Sequence, residues 1–310
     1  MKNNKILITG GLGFIGSHIA DELQDNNEII IIDNSSTGTI NNLKNPHHEN
    51  LEIINKDIRE ANFDEITKDV DYIFHLAAMA SVPLSIEHPI ECSETNISAT
   101  VKLLKSAANN NVKKIIFSSS SAVYGENKNM PLKETETPMP TSPYAASKAS
   151  CENYLHSFYE NYSLEYVALR YFNVFGPKQN KNSQYAAVIP NFISALIEGK
   201  QPEIYGDGEQ TRDFIFVKDV VKANIHSSKS KYNGIINVAS GEKLSINQLF
   251  EIIKNTLNSD LEPKYLTERP GDIKHSLADV KRMEKINFKV DSTKFKQQLE
   301  KTIHWFKNNL

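Results

Sequence analysis

The stretch ITGGLGFIGSH, residues 8–18, joins a short apolar run to an amphipathic segment through closely spaced glycines. It satisfies Gly-x-Gly-x-x-Gly through Gly11, Gly13 and Gly16, and Gly-x-x-Gly-x-x-Gly through Gly10, Gly13 and Gly16. In either pattern one glycine allows a tight turn, another removes the side chain that would block a pyrophosphate, and Gly16 lets a helix pack closely on a strand. Alone, the pattern is weak evidence, because glycines also end strands for steric reasons.

The flanking residues place this glycine turn between a strand and a helix. KILIT (5–9) is the apolar run before it, and Phe14–Gln24 has the spacing of an amphipathic helix after it. Asp33 ends the next apolar run, EIIIID (28–33). A carboxylate at the end of that second strand accepts hydrogen bonds from both ribose hydroxyls and repels a 2′-phosphate. The sequence therefore predicts a dinucleotide site and favours NAD over NADP.

Asp57 follows the third apolar run, in NKDIRE (55–60). Its carboxylate is placed to accept a hydrogen bond from the adenine amino group of the dinucleotide. An aspartate at such a point is equally expected as a helix N-cap, because its side chain can accept from the free N–H groups of the first turn. Both interpretations stay open at this stage.

The first half of the chain alternates short apolar runs with longer helical patterns. Because the runs are almost continuously Ile, Val, Leu and Phe, they indicate strands buried on both faces of a parallel sheet. The strands are predicted at 5–9, 28–33, 51–55, 71–76, 113–119 and 164–172, and the helices at Phe14–Gln24, Ile90–Asn109 and Ser142–Tyr162. Strand–helix–strand repetition predicts an α/β fold with a Rossmann-like, doubly wound parallel sheet.

The alternation changes after Phe172. The predicted elements there are a long loop at 173–186, a helix near Ile189–Glu198, a strand at 212–217, a helix from Val217, a strand at 235–240, and helices at 245–258 and 292–309. We expect residues 1–172 to form an NAD-binding domain, to which residues 213–240 return. Residues 173–212 and 241–310 are expected to form a smaller, interwoven C-terminal substrate domain, with a cleft between the two.

Composition excludes several classes of function. The 310-residue chain has 39% hydrophobic and 24% charged residues, and its net charge of -3 comes with scattered Lys and Arg, so no basic stripe for nucleic acid is expected. No stretch approaches the ~20 apolar residues of a membrane span, and the N-terminal apolar run is too short for a signal peptide. Cys92 and Cys151 cannot form a disulfide framework and lack zinc spacing, which favours a reducing, cytoplasmic compartment without a metal site.

Tyr144 and Lys148 lie four residues apart in SPYAASKASCENY (142–154), and hence on one face of the predicted helix. A free tyrosine has a pKa near ~10 and is a poor base at neutral pH. A neighbouring ammonium, together with the positive nicotinamide of bound NAD, would favour the phenolate. Lys148 is also placed to hold the nicotinamide ribose. The Tyr-x-x-x-Lys spacing is common on helix surfaces and becomes specific only together with the glycine turn.

A series of motifs runs in one order along almost the whole chain: TGGLGFIGSH, DNSSTG, HLAAMASVPLSIEHP, SSSSAVYG, YAASK, RYFNVFGPKQ, GDGEQTRDFIFVKDV and RPGDIKHSLAD. Through them the chain resembles the extended branch of the short-chain dehydrogenase/reductase family, and within it the nucleotide-sugar 4-epimerases. The resemblance implies an isomerase that interconverts UDP-glucose and UDP-galactose, and UDP-N-acetylglucosamine and UDP-N-acetylgalactosamine, through a 4-keto intermediate, with NAD as a tightly bound cofactor.

The resemblance also implies a catalytic role for one serine of FSSSSAVYGE (117–126). In the family the catalytic hydroxyl lies four residues before the tyrosine of the Val-Tyr-Gly element, here Tyr124, which points to Ser120. Ser120 would donate to the sugar O4, and Tyr144 would remove the O4 proton while C4 gives a hydride to NAD. The keto-sugar would then turn over and take the hydride back on its other face, with Lys148 supporting the phenolate.

Further positions are implied to contact the two ligands. Cofactor contacts are expected from Gly10, Gly13, Phe14, Ile15, Gly16, Asp33, Asn34, Asp57, Ile58, Leu76, Ala77, Ala78, Asn96, Tyr144, Lys148, Tyr171 and Phe172. Substrate contacts are expected from Ser81, Ser120, Ser121, Asn173, Val188, Arg212, Arg269, Asp272 and Ser276. Arg212 and Arg269 would clamp the diphosphate through bidentate guanidinium contacts, and Asp272 would accept from the nucleoside ribose. Taken singly, each of these charges would also fit a surface ion pair.

Two positions refine the expected reaction and sugar. Family dehydratases and decarboxylases carry an acid just before Val-Tyr-Gly, where this chain has Ala122, so elimination chemistry lacks its acid. Ser276 aligns with a position where some epimerases carry a bulky tyrosine, and a serine would leave room for an N-acetyl group. The alternative is that Ser276 faces solvent. Ala80 and Ser81 likewise resemble the epimerases that accept N-acetylated sugars.

Several alternatives stay open. A UDP-glucuronate 4-epimerase would need a cationic or hydroxyl-rich partner for the C6 carboxylate, which the sequence does not locate. A nucleotide-sugar reductase would consume NAD(P)H, and a non-catalytic NAD-binding regulatory protein is expected to lose part of the catalytic set. The resemblance further implies a homodimer formed through the helices at about 90–109 and 142–162, although their apolar residues would equally suit an internal core.

Overall fold

Thirteen strands and ten helices are seen in the computed structural model, which describes residues 1–180, 187–268 and 273–309. The strands are β1 Lys5–Thr9, β2 Glu28–Asp33, β3 Leu51–Asn55, β4 Tyr72–His75, β5 Lys114–Ser120, β6 Glu165–Tyr171, β7 Asn173–Phe175, β8 Glu203–Tyr205, β9 Thr211–Arg212, β10 Phe214–Phe216, β11 Gly234–Val238, β12 Leu244–Ser245 and β13 Lys264–Leu266. The helices are α1 Phe14–Leu23, α2 Phe63–Ile66, α3 Val82–Glu87, α4 Pro89–Ser93, α5 Ala99–Asn109, α6 Pro143–Tyr162, α7 Val188–Ile197, α8 Val217–Lys229, α9 Ile246–Leu257 and α10 Phe295–Asn309.

Seven strands form one sheet in the order β3–β2–β1–β4–β5–β6–β11, and every neighbouring pair is parallel. The strand order reverses between β1 and β4, so the connections after these two strands leave the sheet in opposite directions. Doubly wound folds bind their ligands in the crevice at this reversal, beyond the carboxyl ends of the strands. The predicted Rossmann-like parallel sheet is therefore confirmed.

Helices cover the sheet on both faces. Because successive side chains of a strand point to opposite faces, Ile6 and Ile8 of β1 pack in one apolar cluster with α1 and α8, while Leu7 packs in the other with α5 and α6. This arrangement explains the continuous apolar runs, since neither face of a central strand meets water. The two clusters hold the carboxyl ends of the strands, and so the crevice, in a fixed place.

A separate apolar cluster lies in the C-terminal part of the chain. It joins α7, α9 and α10 with β7 and β10, and the rings of Phe192 and Phe250 meet edge to face at a centroid distance of 5.7 Å. Residues 217–238, by contrast, belong with the large sheet, because β11 pairs with β6 and α8 packs in the apolar cluster on one face of the sheet. The proposed domain division at 172, 213 and 240 stays a proposal. Within the described ranges, no helix is both long and apolar enough to cross a bilayer.

Three predicted elements differ from the structure. The helix expected at Ile90–Asn109 is interrupted by a wider, π-helical turn at Glu94–Ser98 between α4 and α5. The strand expected at 212–217 breaks at Asp213, because β9 pairs with β12 whereas β10 pairs with β7. The loop expected at 173–186 begins with the short strand β7, which pairs in parallel with β10, and its residues 181–186 lie outside the described residues.

Candidate active site

The glycine turn lies at the carboxyl end of β1, where a larger residue would collide with backbone. A Cβ on Gly10, whose φ is +71°, would lie 2.7 Å from the Ala77 nitrogen, and one on Gly16 would lie 2.2 Å from the Gly10 oxygen. Gly13 caps α1 without a side-chain hydrogen bond, so first-turn N–H groups of Phe14 and its neighbours are left for an anion. This cradle fits the pyrophosphate of a dinucleotide.

Asp33 ends β2 with a buried carboxylate beside the glycine turn. Its Oδ2 accepts from the Leu12 N–H at 3.0 Å, and its Oδ1 accepts from the Ser35 N–H at 2.8 Å. Each oxygen keeps a second lone pair, so the carboxylate can still accept two ribose hydroxyls. The backbone donors orient Asp33, and the group fits the NAD ribose.

Asp57 is hydrogen-bonded on both oxygens within the chain. Its Oδ1 accepts from the Arg59 N–H at 2.8 Å and Nε at 3.0 Å, and its Oδ2 accepts from Arg59 Nη2 at 2.9 Å and Asn34 Nδ2 at 3.0 Å. The Arg59 side chain in particular lowers the pKa of Asp57 to about 2. No helix begins here, since α2 starts at Phe63, so the N-cap interpretation is wrong. Contact with adenine stays a prediction.

A chain of buried hydrogen bonds supports the wall of the crevice beside β4. Thr100 Oγ1 donates to the Asn96 carbonyl at 2.6 Å, so it accepts from His75 Nε2 at 2.7 Å. His75 Nδ1 is then the bare nitrogen and accepts from Thr9 Oγ1 at 2.6 Å. Thr9 Oγ1 in turn accepts from the N–H groups of residues 76 and 77. Burial lowers the pKa of His75 to about 3, which keeps this ring neutral.

Asn96 lies in the π-helical turn and is almost fully buried. Its amide bonds the backbone of Met79 in both directions, at 2.8 and 3.2 Å, and donates to Ser147 Oγ at 2.9 Å. Ser147 Oγ donates to the Tyr144 carbonyl at 2.8 Å. Asn96 therefore ties the 76–79 wall to the start of α6, and a direct contact with the cofactor stays a prediction.

Three of the remaining predicted cofactor residues are largely buried. Ile58 packs in the same apolar cluster as α5 and α6. The Tyr171 hydroxyl donates to Asn224 Oδ1 at 3.0 Å, and burial raises the pKa of this phenol. Phe172 packs against Tyr124. Their contacts with the cofactor stay predictions.

The predicted catalytic residues meet where β5 ends and α6 begins. Lys148 Nζ donates to the Ser118 carbonyl at 2.8 Å and lies 5.9 Å from the centroid of the Tyr144 ring. Burial lowers the pKa of Lys148 to about 8. Burial also raises the pKa of the Tyr144 phenol, whereas a hydrogen bond with the Ser120 side chain acts in the opposite direction. A hydroxyl, a phenol and an ammonium are thus brought together.

The turn after Ser120 carries the residue expected to separate the family's reactions. Ser121–Tyr124 form a 3-10 turn, and the Ala122 N–H donates to Ser120 Oγ at 3.1 Å. This bond orients the Ser120 hydroxyl from the strand end. The side chain that follows Ser121 is a methyl group, so it can neither donate nor accept a proton.

The predicted substrate residues Asn173, Val188 and Arg212 line one cavity of about 300 Å³, together with Tyr205 and Phe192. This cavity lies where the C-terminal cluster meets β7 and β9. The structure therefore brings together three residues that the sequence places well apart. Their contacts with substrate stay predictions.

Two other predicted substrate residues, Ser276 and Ser81, are not among the residues that line this cavity. Ser276 is 7% exposed, and its N–H donates to the Thr211 carbonyl at 3.1 Å, so the solvent-facing alternative is wrong. Ser81 caps α3 by accepting from the Leu84 N–H at 3.3 Å. Arg269 and Asp272 lie outside the described residues.

Asp213 is a buried carboxylate that sequence analysis missed. Its Oδ1 accepts from the Ser240 N–H and hydroxyl at 2.8 and 2.7 Å, and its Oδ2 accepts from the Gly241 and Ala278 N–H groups at 3.1 and 3.2 Å. Burial raises the pKa of Asp213 to about 6, against these four hydrogen bonds, which favour the ionised form. Asp213 thereby joins the edge of the sheet to the segment that carries Ser276.

Two further polar contacts around α6 were also missed. Ser85 Oγ accepts from the Tyr144 N–H at 3.1 Å, and no pattern in the sequence signals this contact. Glu152 forms a buried ion pair with Arg170. Its spacing does carry a signal, because it lies four residues after Lys148 and so continues the helix face of the catalytic pair.

Comparison with known proteins agrees with this geometry. Residues 6–239 match the family model described as the NAD dependent epimerase/dehydratase family. The chain belongs to this family. Its cofactor is therefore NAD, which the glycine cradle and Asp33 fit, and the expected NAD-using enzyme is confirmed.

Members of the family closely resemble this chain. A UDP-N-acetylglucosamine 4-epimerase from Methanobrevibacter ruminantium M1, solved with UDP-N-acetylmuramic acid, is 61% identical over 100% of both chains, with a TM-score of 0.99. The UDP-glucose 4-epimerase of Thermotoga maritima, solved with UDP-glucose, is 37% identical over 98% of this chain and 99% of that one, with a TM-score of 0.93. A UDP-N-acetyl-alpha-D-glucosaminuronate decarboxylase from Bacillus cytotoxicus is 35% identical over 98% of each chain. The resemblance to the nucleotide-sugar 4-epimerases is confirmed, and the family also contains decarboxylases.

Proposed function

We propose that this protein is an NAD-dependent UDP-hexose 4-epimerase that interconverts UDP-glucose and UDP-galactose, and also UDP-N-acetylglucosamine and UDP-N-acetylgalactosamine. The observation that carries the proposal is the catalytic corner itself. Ser120, Tyr144 and Lys148 converge at the end of β5, and the adjoining turn presents the Ala122 methyl group where an eliminating enzyme would need an acid. Removal and return of a hydride at C4 needs a base for O4 but no second acid.

The mechanism follows from the placement of these three side chains. Ser120, oriented by the Ala122 N–H, donates to the sugar O4, and Tyr144 accepts the O4 proton as the carbonyl forms. Lys148, held by the Ser118 carbonyl, stabilises the phenolate through its positive charge. NAD, which the glycine turn and Asp33 would hold, would supply a reversible hydride acceptor for C4. Tyr144 gives the proton back to O4 once the keto-sugar has turned over, so the net change is inversion at C4.

The cavity of about 300 Å³ that Asn173 and Arg212 line is proposed to hold the nucleotide part of the substrate. Arg212 at its wall supplies a guanidinium for the diphosphate, and Asn173 supplies an amide within the same lining. Arg269 and Asp272 are proposed to complete this grip from the C-terminal segment. Binding the diphosphate away from C4 leaves the sugar ring free to turn over between the two hydride transfers.

Selection of the sugar is proposed to depend on Ser276. Ser276 is buried, and its N–H donates to the carbonyl of Thr211, the neighbour of Arg212 on β9, so a tyrosine at this position would fill space near the substrate grip. A 61% identical relative named as a UDP-N-acetylglucosamine 4-epimerase supports acceptance of N-acetylated sugars.

The test is to incubate the purified protein with UDP-glucose, UDP-N-acetylglucosamine and UDP-glucuronate separately and to resolve the products by chromatography. We expect C4 epimers from the first two substrates, no turnover in Tyr144→Phe with NAD still bound, and loss of only the N-acetylated activity in Ser276→Tyr. Carbon dioxide from the uronate would identify a decarboxylase instead, and its C4 epimer a UDP-glucuronate 4-epimerase. Consumption of one NAD(P)H for each sugar converted, seen as a fall in the absorbance of the reduced nicotinamide, would identify a reductase. NAD binding without turnover of any substrate would identify a regulatory protein.

A homodimer is proposed as the working assembly. The core uses apolar residues of both candidate helices, among them Leu103 and Leu155, so these do not serve an interface. Other large side chains of the same region stay exposed, with Ile90 at 75%, Tyr154 at 42% and Tyr162 at 50%. Light scattering should give twice the chain mass, and Ile90→Lys should lower it to one chain; a monomeric wild type would refute the proposal.

Both cysteines are buried free thiols, in keeping with a proposed reducing, cytoplasmic location.

A further inference from the structure

A buried ion pair lies directly beneath the candidate catalytic residues. The side chains of Glu152 on α6 and Arg170 on β6 are 3% and 1% exposed. Arg170 Nε donates to Glu152 Oε1 at 2.9 Å, and Nη2 donates to Oε2 at 2.7 Å, so the pair is bidentate. Ser119 Oγ donates to the same Oε1 at 2.6 Å.

Strand register explains how two separate strands hold one carboxylate. In the β5–β6 pairing Ser119 lies directly opposite Arg170, so both side chains project from the same face of the sheet toward α6. Glu152 extends from the helix between them. A shift of one residue in β5 or β6 would turn Ser119 or Arg170 to the opposite face of the sheet, away from Glu152. The contact therefore specifies the register of β5 and β6 against α6.

The same helix face carries the catalytic pair. Tyr144, Lys148 and Glu152 follow at four-residue steps, which places Glu152 about 12 Å along the axis from Tyr144 at ~1.5 Å per residue. Each of the three side chains contacts a different residue of 118–120 on β5. Glu152 differs from the other two in that it also forms an ion pair with a second strand, through Arg170 on β6.

The ion pair also reaches the turn that follows Ser120. The Arg170 guanidinium lies 4.6 Å from the centroid of the Tyr124 ring, and the Tyr124 hydroxyl donates to Asn237 Oδ1 at 2.6 Å. Tyr124 ends the 3-10 turn whose Ala122 N–H orients the Ser120 hydroxyl. One guanidinium therefore touches both the helix that carries the base and the turn that carries the hydroxyl.

Buried ion pairs are seldom the most stable choice for a core, because removing two charges from water costs several kcal/mol, and apolar replacements are often as stable. We propose that Glu152 and Arg170 are positioning residues, which hold the Tyr144 phenol and the Ser120 hydroxyl within reach of the same substrate oxygen. The inference rests on the proposed function, since it concerns the geometry of that reaction.

The test uses the double variant Glu152→Met with Arg170→Met, which removes both charges together and so leaves no unpaired ion. Misplacement of reacting groups by about 1 Å costs up to ~100-fold in rate. We expect kcat to fall 10- to 100-fold, while KM for the UDP-sugar stays within about 2-fold because the nucleotide is held elsewhere. Arg170→Lys keeps the charge but loses the bidentate geometry, and its kcat should fall about 10-fold.

Lys114→Met is the matched control. Lys114 lies at the opposite end of the same two strands, is buried, and donates to the Ser230 and Tyr232 carbonyls at 2.7 and 2.8 Å. The Lys114→Met variant should have a lower melting temperature than the wild type and an unchanged kcat. A double variant or Arg170→Lys with kcat within 2-fold of wild type would overturn the inference. The inference would also be overturned if Lys114→Met lost kcat in the same proportion to its loss of stability as the double variant does.

A second readout separates this inference from the proposed function. If the wild type turns over no UDP-sugar, the proposed function fails, and the positioning role is judged from the dissociation constant of NAD measured by calorimetry. Displacement of Lys148 should raise that constant at least 10-fold in the double variant and leave it unchanged in Lys114→Met. An unchanged constant in the double variant would then count against the positioning role.

Discussion

Buried His75 predicts that the fold loses stability in mild acid. Its two ring nitrogens are bonded to Thr9 and Thr100, and burial lowers its pKa from 6.5 to about 3. Between these values the unfolded chain binds a proton that the folded chain does not, so stability is present above pH 6.5 and is lost as the pH falls. Between pH 7.5 and pH 5 this loss amounts to about 2 kcal/mol, at ~1.4 kcal/mol for each pH unit below the unfolded pKa.

The assay is urea unfolding of the wild type and His75→Gln at pH 7.5 and pH 5. Glutamine does not titrate in this range. On going from pH 7.5 to pH 5, the free energy of unfolding of the wild type should therefore fall by about 2 kcal/mol more than that of the variant. The lower stability of the variant at pH 7.5 does not enter the comparison. His18→Gln should reduce the pH dependence of the free energy of unfolding by a similar amount, because burial also lowers the pKa of His18 to about 4. Equal pH dependence in wild type and His75→Gln would refute the reasoning.

Other substitutions test the cofactor cradle and the substrate grip. Gly16→Ala places a methyl group 2.2 Å from a backbone oxygen. We expect the free energy of unfolding, measured by thermal unfolding, to fall by up to ~3 kcal/mol and NAD binding to weaken. A stable variant with normal NAD affinity would contradict the role of this glycine turn. Arg212→Met should raise KM for UDP-sugars at least ~10-fold with little change in kcat, and an unchanged KM in steady-state assays would remove Arg212 from the diphosphate grip. Asp213→Asn replaces one carboxylate oxygen by an amide donor, which at the Oδ2 position would face the Gly241 and Ala278 N–H groups. The free energy of unfolding in urea should therefore fall by about 2–3 kcal/mol, and an unchanged value would disprove this.

Much of the fold was predictable because parallel strands buried on both faces leave a strong local signal. The run at 28–33 is β2 without a change of boundary, and the predicted helix from Ser142 is α6, with Ser142 as its cap. Tyr144 and Lys148 could be paired because four-residue spacing within one helix is itself geometry. These features depend on residues close together in the chain.

The features that were missed depend on contacts between distant segments. The π-helical turn at Glu94–Ser98 carries Asn96, whose side chain bonds Met79 and Ser147, two residues that are distant in the chain. The partnership of Glu152 with Arg170 requires the β5–β6 register, which no local pattern encodes. The break at Asp213 likewise arises because its two flanking strands join different partners.

The origin of β11 has a consequence for synthesis on the ribosome. Strands β1–β6 and the catalytic corner all lie before residue 172, whereas β11, which covers the outer edge of β6, begins only at Gly234. At ~5–20 residues per second, the intervening segment of about 60 residues takes roughly 3–12 s to be made. During that interval the nascent chain carries an open, apolar strand edge of the kind that pairs with other chains. The reacting groups of this enzyme are thus encoded ahead of the strand that shields them from aggregation.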